Sequence, residues 1–336
     1  MKKSLPVVVI DGAIPFLAEF LAGRAEVIAL AGDAITAADV AAADAVVVRT
    51  RTRCDERLLA GSRVRLVVTA TIGFDHIDCA WCRSQGIEVV TAAGCNARGV
   101  LQWVAAVLAY AARTEGWHPS NKTLGVVGVG HVGSLVKAYA ESWGFRTICC
   151  DPPREAREGL GFVSVEEVMA EADIVTFHTP LDASTRHLCN AERLALTKPS
   201  ALILNAARGA VVDNRAVMAS GRRYAFDVWE GEPQLDEEVL RHALLATPHV
   251  AGYSAQGKAN ASMLAAQALS RHFGWPWEGW YPEEVTPPAP RTVSWEELLA
   301  TMDAHYPIAE ESARLKAEPK QFERFRDEYR YRLEYF

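Results

Sequence analysis

Residues 124–136 read LGVVGVGHVGSLV, and the reading of this stretch decides the fold. A short apolar run, Leu124 to Val127, passes directly into Gly128, Gly130 and Gly133 in G-x-G-x-x-G spacing, and then into helix-compatible residues from Ser134 to Glu141. The pattern predicts a strand, a tight turn and a helix. Gly128 lets the chain turn, Gly130 lets the backbone approach a pyrophosphate, and Gly133 lets the helix pack closely on the strand. The helix start at His131 and Val132 then aims its amides at phosphates. The next apolar run, Thr147 to Cys150, ends in Asp151, 18 residues beyond Gly133. An acid at the tip of that second strand can accept hydrogen bonds from a ribose and repels a 2′-phosphate, so NAD is favoured over NADP. Arg154 could shield such a phosphate.

Working outward, 336 residues suggest about two domains, and 50% hydrophobic residues suffice for well-buried cores. The net charge of −7 gives no basic footprint for nucleic acid. No run reaches the roughly 18 apolar residues of a membrane helix, and the apolar run before Asp11 is too short for a signal-peptide core. Seven cysteines without framework spacing fit reduced thiols in a cytoplasmic protein. Cys79 and Cys82 form one C-x-x-C without the second half of a zinc site, so no metal is expected.

Upstream, strand-like runs at Val7–Ile10, Val27–Leu30, Ala45–Val48, Val64–Thr69 and Val89–Val90 alternate with helix-length segments, which predicts a small parallel α/β unit. Val100 to Arg113 is almost wholly apolar and reads as a helix buried on most sides. Downstream of the glycine motif, Ile174–Phe177, Leu202–Asn205 and Tyr224–Asp227 continue a doubly wound sheet, with helices at Val165–Glu171, capped by Ser164, and at Ala191–Leu196. A helix follows at Ala259–Phe273, then the segment GWPWEGWYPEEVTPPAPR, a linker or an ordered edge. In the charged and aromatic tail, Ser294 with Glu297 resembles a capping box, and Phe322, Phe325 and Tyr329 fall on one helical face. Such a face docks on the body of the protein or forms a dimer contact.

Three segments of this second half carry residues suited to chemistry at strand ends: NAARGAVVD with Arg208, DVWEGEP with Glu232, and TPHVAGYS with His249. Beside a nicotinamide these types complete a set for hydride transfer with a 2-hydroxy acid. Arg208 can hold a carboxylate by its planar fork, His249 can take the hydroxyl proton, and Glu232 can orient the imidazole and raise its basicity.

The motifs GVGHVG, Asp151, TFHTPL, NAARGAVVD, the glutamate of GEP, and TPH together resemble the D-isomer-specific 2-hydroxyacid dehydrogenase family. TATIGFDHID, AGCNA, CDPPR, HVAGYSAQGKAN and PKQFERFRDEYRYR place the resemblance in one branch and spread it over most of the chain. The resemblance implies a Rossmann NAD-binding domain (99–254) inserted in a smaller flavodoxin-like substrate domain (1–98 and 255–280), with a C-terminal dimerisation domain (281–336) that makes a homodimer. It implies oxidation of 4-phospho-D-erythronate to 2-oxo-3-hydroxy-4-phosphobutanoate, a step in pyridoxal phosphate (vitamin B6) biosynthesis. Arg208, Glu232 and His249 are then catalytic. Gly128, Gly130, His131, Val132, Gly133, Asp151, Thr179, Ala206, Arg208, Asp227 and Gly252 line NAD, and Thr50, Thr71 and Tyr253 contact substrate. For the substrate phosphate, Arg49 is the first candidate and Lys258 the second, because an extended RTRTR would carry Arg49, Arg51 and Arg53 on one side.

RTRTR also resembles phosphoglycerate dehydrogenases, so the same chemistry on phosphoglycerate or glyoxylate stays open, as does a non-catalytic NAD-sensing role. The segment between Asp213 and Asp227 is several residues shorter than the family pattern, which predicts a clipped helix or a tight connection there.

Overall fold

The computed structural model describes residues 4–159 and 161–336. The chain forms two compact units, one of Met1–Asn96 with Ala255–Pro288 and one of Ala97–Ser254 with Ala289–Phe336.

The first unit is built on five parallel strands, β1 (Val7–Asp11), β2 (Glu26–Leu30), β3 (Ala45–Val48), β4 (Leu66–Thr69) and β5 (Glu88–Thr91), in the order β2-β1-β3-β4-β5. This is the flavodoxin-like order. Both faces are covered, which explains strands that read as continuous apolar runs. On one face Val8, Ile10, Val47 and Val68 meet Leu17, Phe20 and the alanine-rich side of helix Ala255–Phe273. On the other, Val9, Val46 and Val67 meet Val40, Leu59 and Cys82. The proline- and tryptophan-rich segment is an ordered edge, with Trp275, Trp277 and Trp280 around Phe20 at ring-centroid distances of 6.4, 6.3 and 5.0 Å.

The second unit holds six parallel strands, β6 (Thr123–Val127), β7 (Arg146–Cys150), β8 (Ile174–Phe177), β9 (Leu202–Asn205), β10 (Arg223–Phe226) and β11 (Leu245–Ala246), in the order β11-β10-β9-β8-β6-β7. The order reverses at β6, so the switch point of this doubly wound sheet lies between β6 and β8. Past β7, residues 162–164 form no further edge strand; Val163 gives only its N–H to Cys149 O, at 2.9 Å. The short stretch before Asp227 resolves as a clipped helix, Asn214–Ala219, capped by the Asp213 carboxylate on the N–H of Ala216.

The apolar helix, Ala97–Glu115, is buried nearly all round because it is covered from two sides. Sheet residues Leu124, Val126, Ile174 and Leu204 and the helix His131–Ser142 share its core, and so do Trp295, Leu298, Met302, Tyr306 and Phe336 of the tail. The tail, expected from residue 281 as a domain of its own, divides: residues 281–288 group with the first unit, and Ala289–Phe336 with the second. Its capping reading holds at Ser294, whose hydroxyl accepts the N–H of Glu297 at 3.2 Å. Its last helix ends at Asp327, so Tyr329 lies beyond it rather than on its face with the buried Phe322 and Phe325.

Candidate active site

The glycine motif folds as its types dictate. Gly128 has φ +86°, and a Cβ there would sit 2.8 Å from the His178 carbonyl carbon. A Cβ on Gly133 would fall 2.0 Å from Gly128 O, so only a bare Cα lets the helix meet the strand. Gly130 differs, since a Cβ on it would meet nothing within 4 Å, and its surface faces open space at the helix N-terminus. The N–H groups of His131 and Val132, in the first turn, have no acceptor inside the helix. Asp151 braces this turn: its carboxylate accepts the N–H of Val129 at 2.7 Å and of Arg154 at 2.9 Å, and keeps lone pairs for ribose hydroxyls. Arg154 is committed elsewhere, through Nε and Nη2 to Glu158 and through Nη1 to Val129 O. Across the switch point, the buried Thr179 hydroxyl has no partner among the described residues. A bare glycine surface, free helix amides, a half-used carboxylate and an orphan hydroxyl fit a dinucleotide. His178, half-buried beside Thr176, is pushed by desolvation down to about 3 and stays neutral.

At the ends of β9 and β10 the chemistry-bearing residues gather. Buried Asn205 shapes the turn after β9, accepting the N–H of Ala207 at 3.0 Å and donating to Arg208 O at 2.9 Å. Gly209 comes so close to Trp229 O that a Cβ would lie 2.1 Å away, which sets the half-buried Arg208 beside the end of the neighbouring strand. Ala206 belongs to the same turn.

His249 and Glu232 are in direct contact, Nδ1 to Oε1 at 2.5 Å, and the other oxygen of Glu232 accepts the N–H of Trp229 at 3.1 Å. Burial pushes the Glu232 carboxyl up. The hydrogen bond and charge of His249, the Trp229 N–H and the charge of Arg326 outweigh it and hold the group below its ordinary value. His249 itself has φ +59°, a left-handed conformation costly for a non-glycine residue and therefore held by its surroundings.

Those surroundings centre on Asp227. Expected to line NAD, it is 1% exposed, and its carboxylate is spent inside the protein. Oδ1 accepts the Thr247 hydroxyl at 2.6 Å and the N–H of Val250 at 2.8 Å, Oδ2 accepts the N–H of Ala251 at 2.9 Å, and its carbonyl accepts the N–H of His249 at 2.8 Å. Trp103 Nε1 donates to the Thr247 hydroxyl at 2.9 Å, and Trp229 Nε1 to Thr247 O at 3.0 Å. Gly252 and Tyr253 follow directly, both half-buried.

Two tail arginines, which the sequence reading did not single out, reach this loop. Arg326 Nε donates to the Tyr253 hydroxyl at 3.2 Å. Arg332 gives Nη1 to Val250 O at 3.0 Å and Nη2 to Gly99 O at 3.1 Å and to Ala251 O. The alternation of arginine and aromatic residues in FERFRDEYRYR was the sole available signal, and it does not say which guanidinium is buried.

In the first unit, Thr50 is exposed just past β3, and the Thr71 hydroxyl past β4 donates to Gly73 O at 2.9 Å. RTRTR is not extended as expected but bends: Thr52 N–H donates to Arg49 O at 3.2 Å, and the buried Thr52 hydroxyl to Gly32 O at 2.7 Å. The arginines therefore do not share a side. Arg49 pairs with the fully buried Asp11 at 2.8 Å and Arg53 with Asp55 at 2.9 Å.

Comparison with known proteins places this geometry. Residues 97–251 match the family described as D-isomer specific 2-hydroxyacid dehydrogenase, NAD binding domain. An erythronate-4-phosphate dehydrogenase of Bacteroides fragilis is 39% identical over 343 residues, covering 97% of each chain. The chain belongs to the D-isomer specific 2-hydroxyacid dehydrogenase family, in its erythronate-4-phosphate dehydrogenase branch. A second such relative, from Ectopseudomonas mendocina, is 46% identical over 274 residues, 80% of this chain and 73% of its own. Among solved structures, the NAD+-bound 3-phosphoglycerate dehydrogenase of Entamoeba histolytica superposes with a TM-score of 0.70 at 26% identity, over 81% of this chain and 96% of that one. As a 2-hydroxyacid dehydrogenase the protein is an NAD-dependent oxidoreductase, and the glycine turn, Asp151 and Thr179 are where its own residues fit the cofactor.

Proposed function

We propose that this dehydrogenase oxidises 4-phospho-D-erythronate to 2-oxo-3-hydroxy-4-phosphobutanoate, a step toward pyridoxal phosphate. The observation that carries the reading is the His249–Glu232 pair at 2.5 Å, on the unit that also bears the glycine turn and Arg208. Bound NAD supplies the hydride acceptor. With Nδ1 protonated and held by Glu232, His249 keeps the Nε2 lone pair for the substrate hydroxyl proton, and the carboxylate offsets the imidazolium that forms. Arg208 pairs with the substrate carboxylate through two parallel bonds, fixing the carbon that loses hydride. By the family pattern Thr50, Thr71 and Tyr253 contact the polyol. For the phosphate, Arg49, which also pairs with Asp11, is the first candidate and Lys258 the second.

We further place the protein in the cytoplasm as a homodimer built through the tail. Support comes from seven cysteines without the spacing of a disulfide framework and from Tyr331 and Leu333, which stand 46% and 66% exposed near the end of the tail. The decisive experiment follows NADH absorbance with 4-phosphoerythronate, 3-phosphoglycerate and glycolate as substrates. A clear preference for 4-phosphoerythronate is expected, and a preference for 3-phosphoglycerate would overturn the substrate assignment.

A further inference from the structure

The loop that carries His249 is gripped from two sides. On one side the Asp227 carboxylate takes the N–H groups of Val250 and Ala251, at 2.8 and 2.9 Å. On the other, the Arg332 guanidinium takes the carbonyls of the same two residues and ties them to Gly99 O at the start of helix Ala97–Glu115. The peptide group joining Val250 to Ala251 thus has its N–H held by a buried anion and its C=O by a buried cation, and the peptide groups on either side of it are each held at one end. Arg332 is 9% exposed, its guanidinium lies over the Tyr306 ring at 4.1 Å, and the Tyr329 hydroxyl accepts from Nη1 at 2.9 Å while donating to Glu311 at 2.8 Å. Next to it, Ser254 pairs with the Arg332 backbone in an isolated parallel bridge and donates its hydroxyl to Glu334 at 2.7 Å.

A planar fork able to hold three carbonyls in fixed directions is more than packing requires; an apolar residue would fill this space without a charge to desolvate. Resting on the dehydrogenase reading above, we propose that Arg332, from the C-terminal tail of the same chain, is a positioning residue for His249, fixing the 249–251 backbone so that the imidazole keeps its bond to Glu232. The tail then serves catalysis within its own chain, whatever it also does between chains.

The test uses the full chain and three variants. Arg332→Lys keeps the charge and loses the fork. Tyr329→Phe removes one hydroxyl that orients the guanidinium and should fold in any case. Arg113→Ala is the control: it cuts a different tail contact, to Asp303 at 2.6 Å and Leu299 O at 3.0 Å, remote in sequence from the loop. Arg332→Lys is expected to lower kcat by up to about 10²-fold and to move the acid limb of the kcat/KM profile, with KM for NAD within about twofold. Tyr329→Phe should shift both in the same direction by less, and Arg113→Ala should lower the melting temperature without moving the profile. If wild type turns over hydroxy acid while Arg332→Lys and Tyr329→Phe keep the wild-type pH profile and kcat, Arg332 is structural only and the proposal fails. A parent chain inactive on every hydroxy acid would instead sink the dehydrogenase reading on which it rests.

Discussion

Thr247 gives its hydroxyl proton to the Asp227 carboxylate at 2.6 Å, two residues before His249, and receives the indole N–H of Trp103 at 2.9 Å. β10 ends at Phe226, and Asp227 still gives its backbone N–H to Asn205 O at 2.9 Å while its carboxylate turns into the loop that follows β11. An acid that the family resemblance assigns to the cofactor therefore also builds the loop that carries His249.

Asp227→Asn tests this. An amide offers one acceptor oxygen where the carboxylate uses two, and it turns an NH2 toward the N–H of Val250 or Ala251. The expected cost is about 2–3 kcal/mol of stability, read as a lower urea midpoint, together with a fall in kcat and little change in the Kd of NAD. An unchanged kcat would mean that the loop holds its shape without Asp227.

Glu232 gives a prediction with a definite sign in pH. Its carboxyl lies below its ordinary value of 4.5 because His249, the Trp229 N–H and Arg326 overcome the effect of burial. A carboxylate whose folded-state pKa is depressed adds stability that is full above the unfolded pKa and drains away as pH falls through the folded one. The stability difference between wild type and Glu232→Gln should thus be constant above about pH 5 and shrink below it. Urea unfolding from pH 7 to pH 3 measures this, and a difference that grows on acidification would reverse the assignment. Turnover by the variant should fall about 10²-fold or more.

Arg208→Lys replaces a two-pronged donor with a point charge. Loss of one charged hydrogen bond to the substrate carboxylate should lower kcat/KM by about 10- to 100-fold, with thermal stability unchanged because the residue is half-buried in a turn already fixed by Asn205. Steady-state kinetics with the hydroxy acid varied at saturating NAD checks this, and wild-type kcat/KM would remove the carboxylate role.

Two glycines of one motif should fail differently. Gly130→Ala places a methyl group in open space at φ −77°, so the variant should fold with near-native stability and bind NAD poorly. Gly133→Ala drives a methyl group to 2.0 Å from a backbone oxygen and should destabilise the unit itself. Melting temperatures with and without NAD separate the two; equal loss of stability would contradict the assigned division of labour.

Features governed by neighbours along the chain were legible in the sequence. Ile174–Phe177, Leu202–Asn205 and the Ser164-capped helix Val165–Glu171 form where their alternation and caps place them. The Glu232–His249 partnership was legible from residue types and a known pattern. What escaped depends on distant partners. RTRTR bends because Thr52 and Arg49 are claimed by Gly32 and Asp11, 20 and 38 residues away. Arg332 looks like one more surface charge in a highly charged tail until Val250, Ala251 and Gly99 surround it. The division of the tail near residue 289 was hidden because burial of Trp295, Tyr306 and Phe336 requires the far side of helix Ala97–Glu115, whose own apolar excess gives no hint of its partner.

The bond between Arg332 and Gly99 spans 233 positions of chain. A ribosome that has delivered every strand of both sheets has still not delivered the guanidinium on which the His249 loop closes, so a nascent chain carries the three proposed catalytic side chains before their geometry is complete. Activity should accordingly switch on only once Arg332 has been made, and a cleavage that removes Arg332 would impair turnover while leaving both sheets folded.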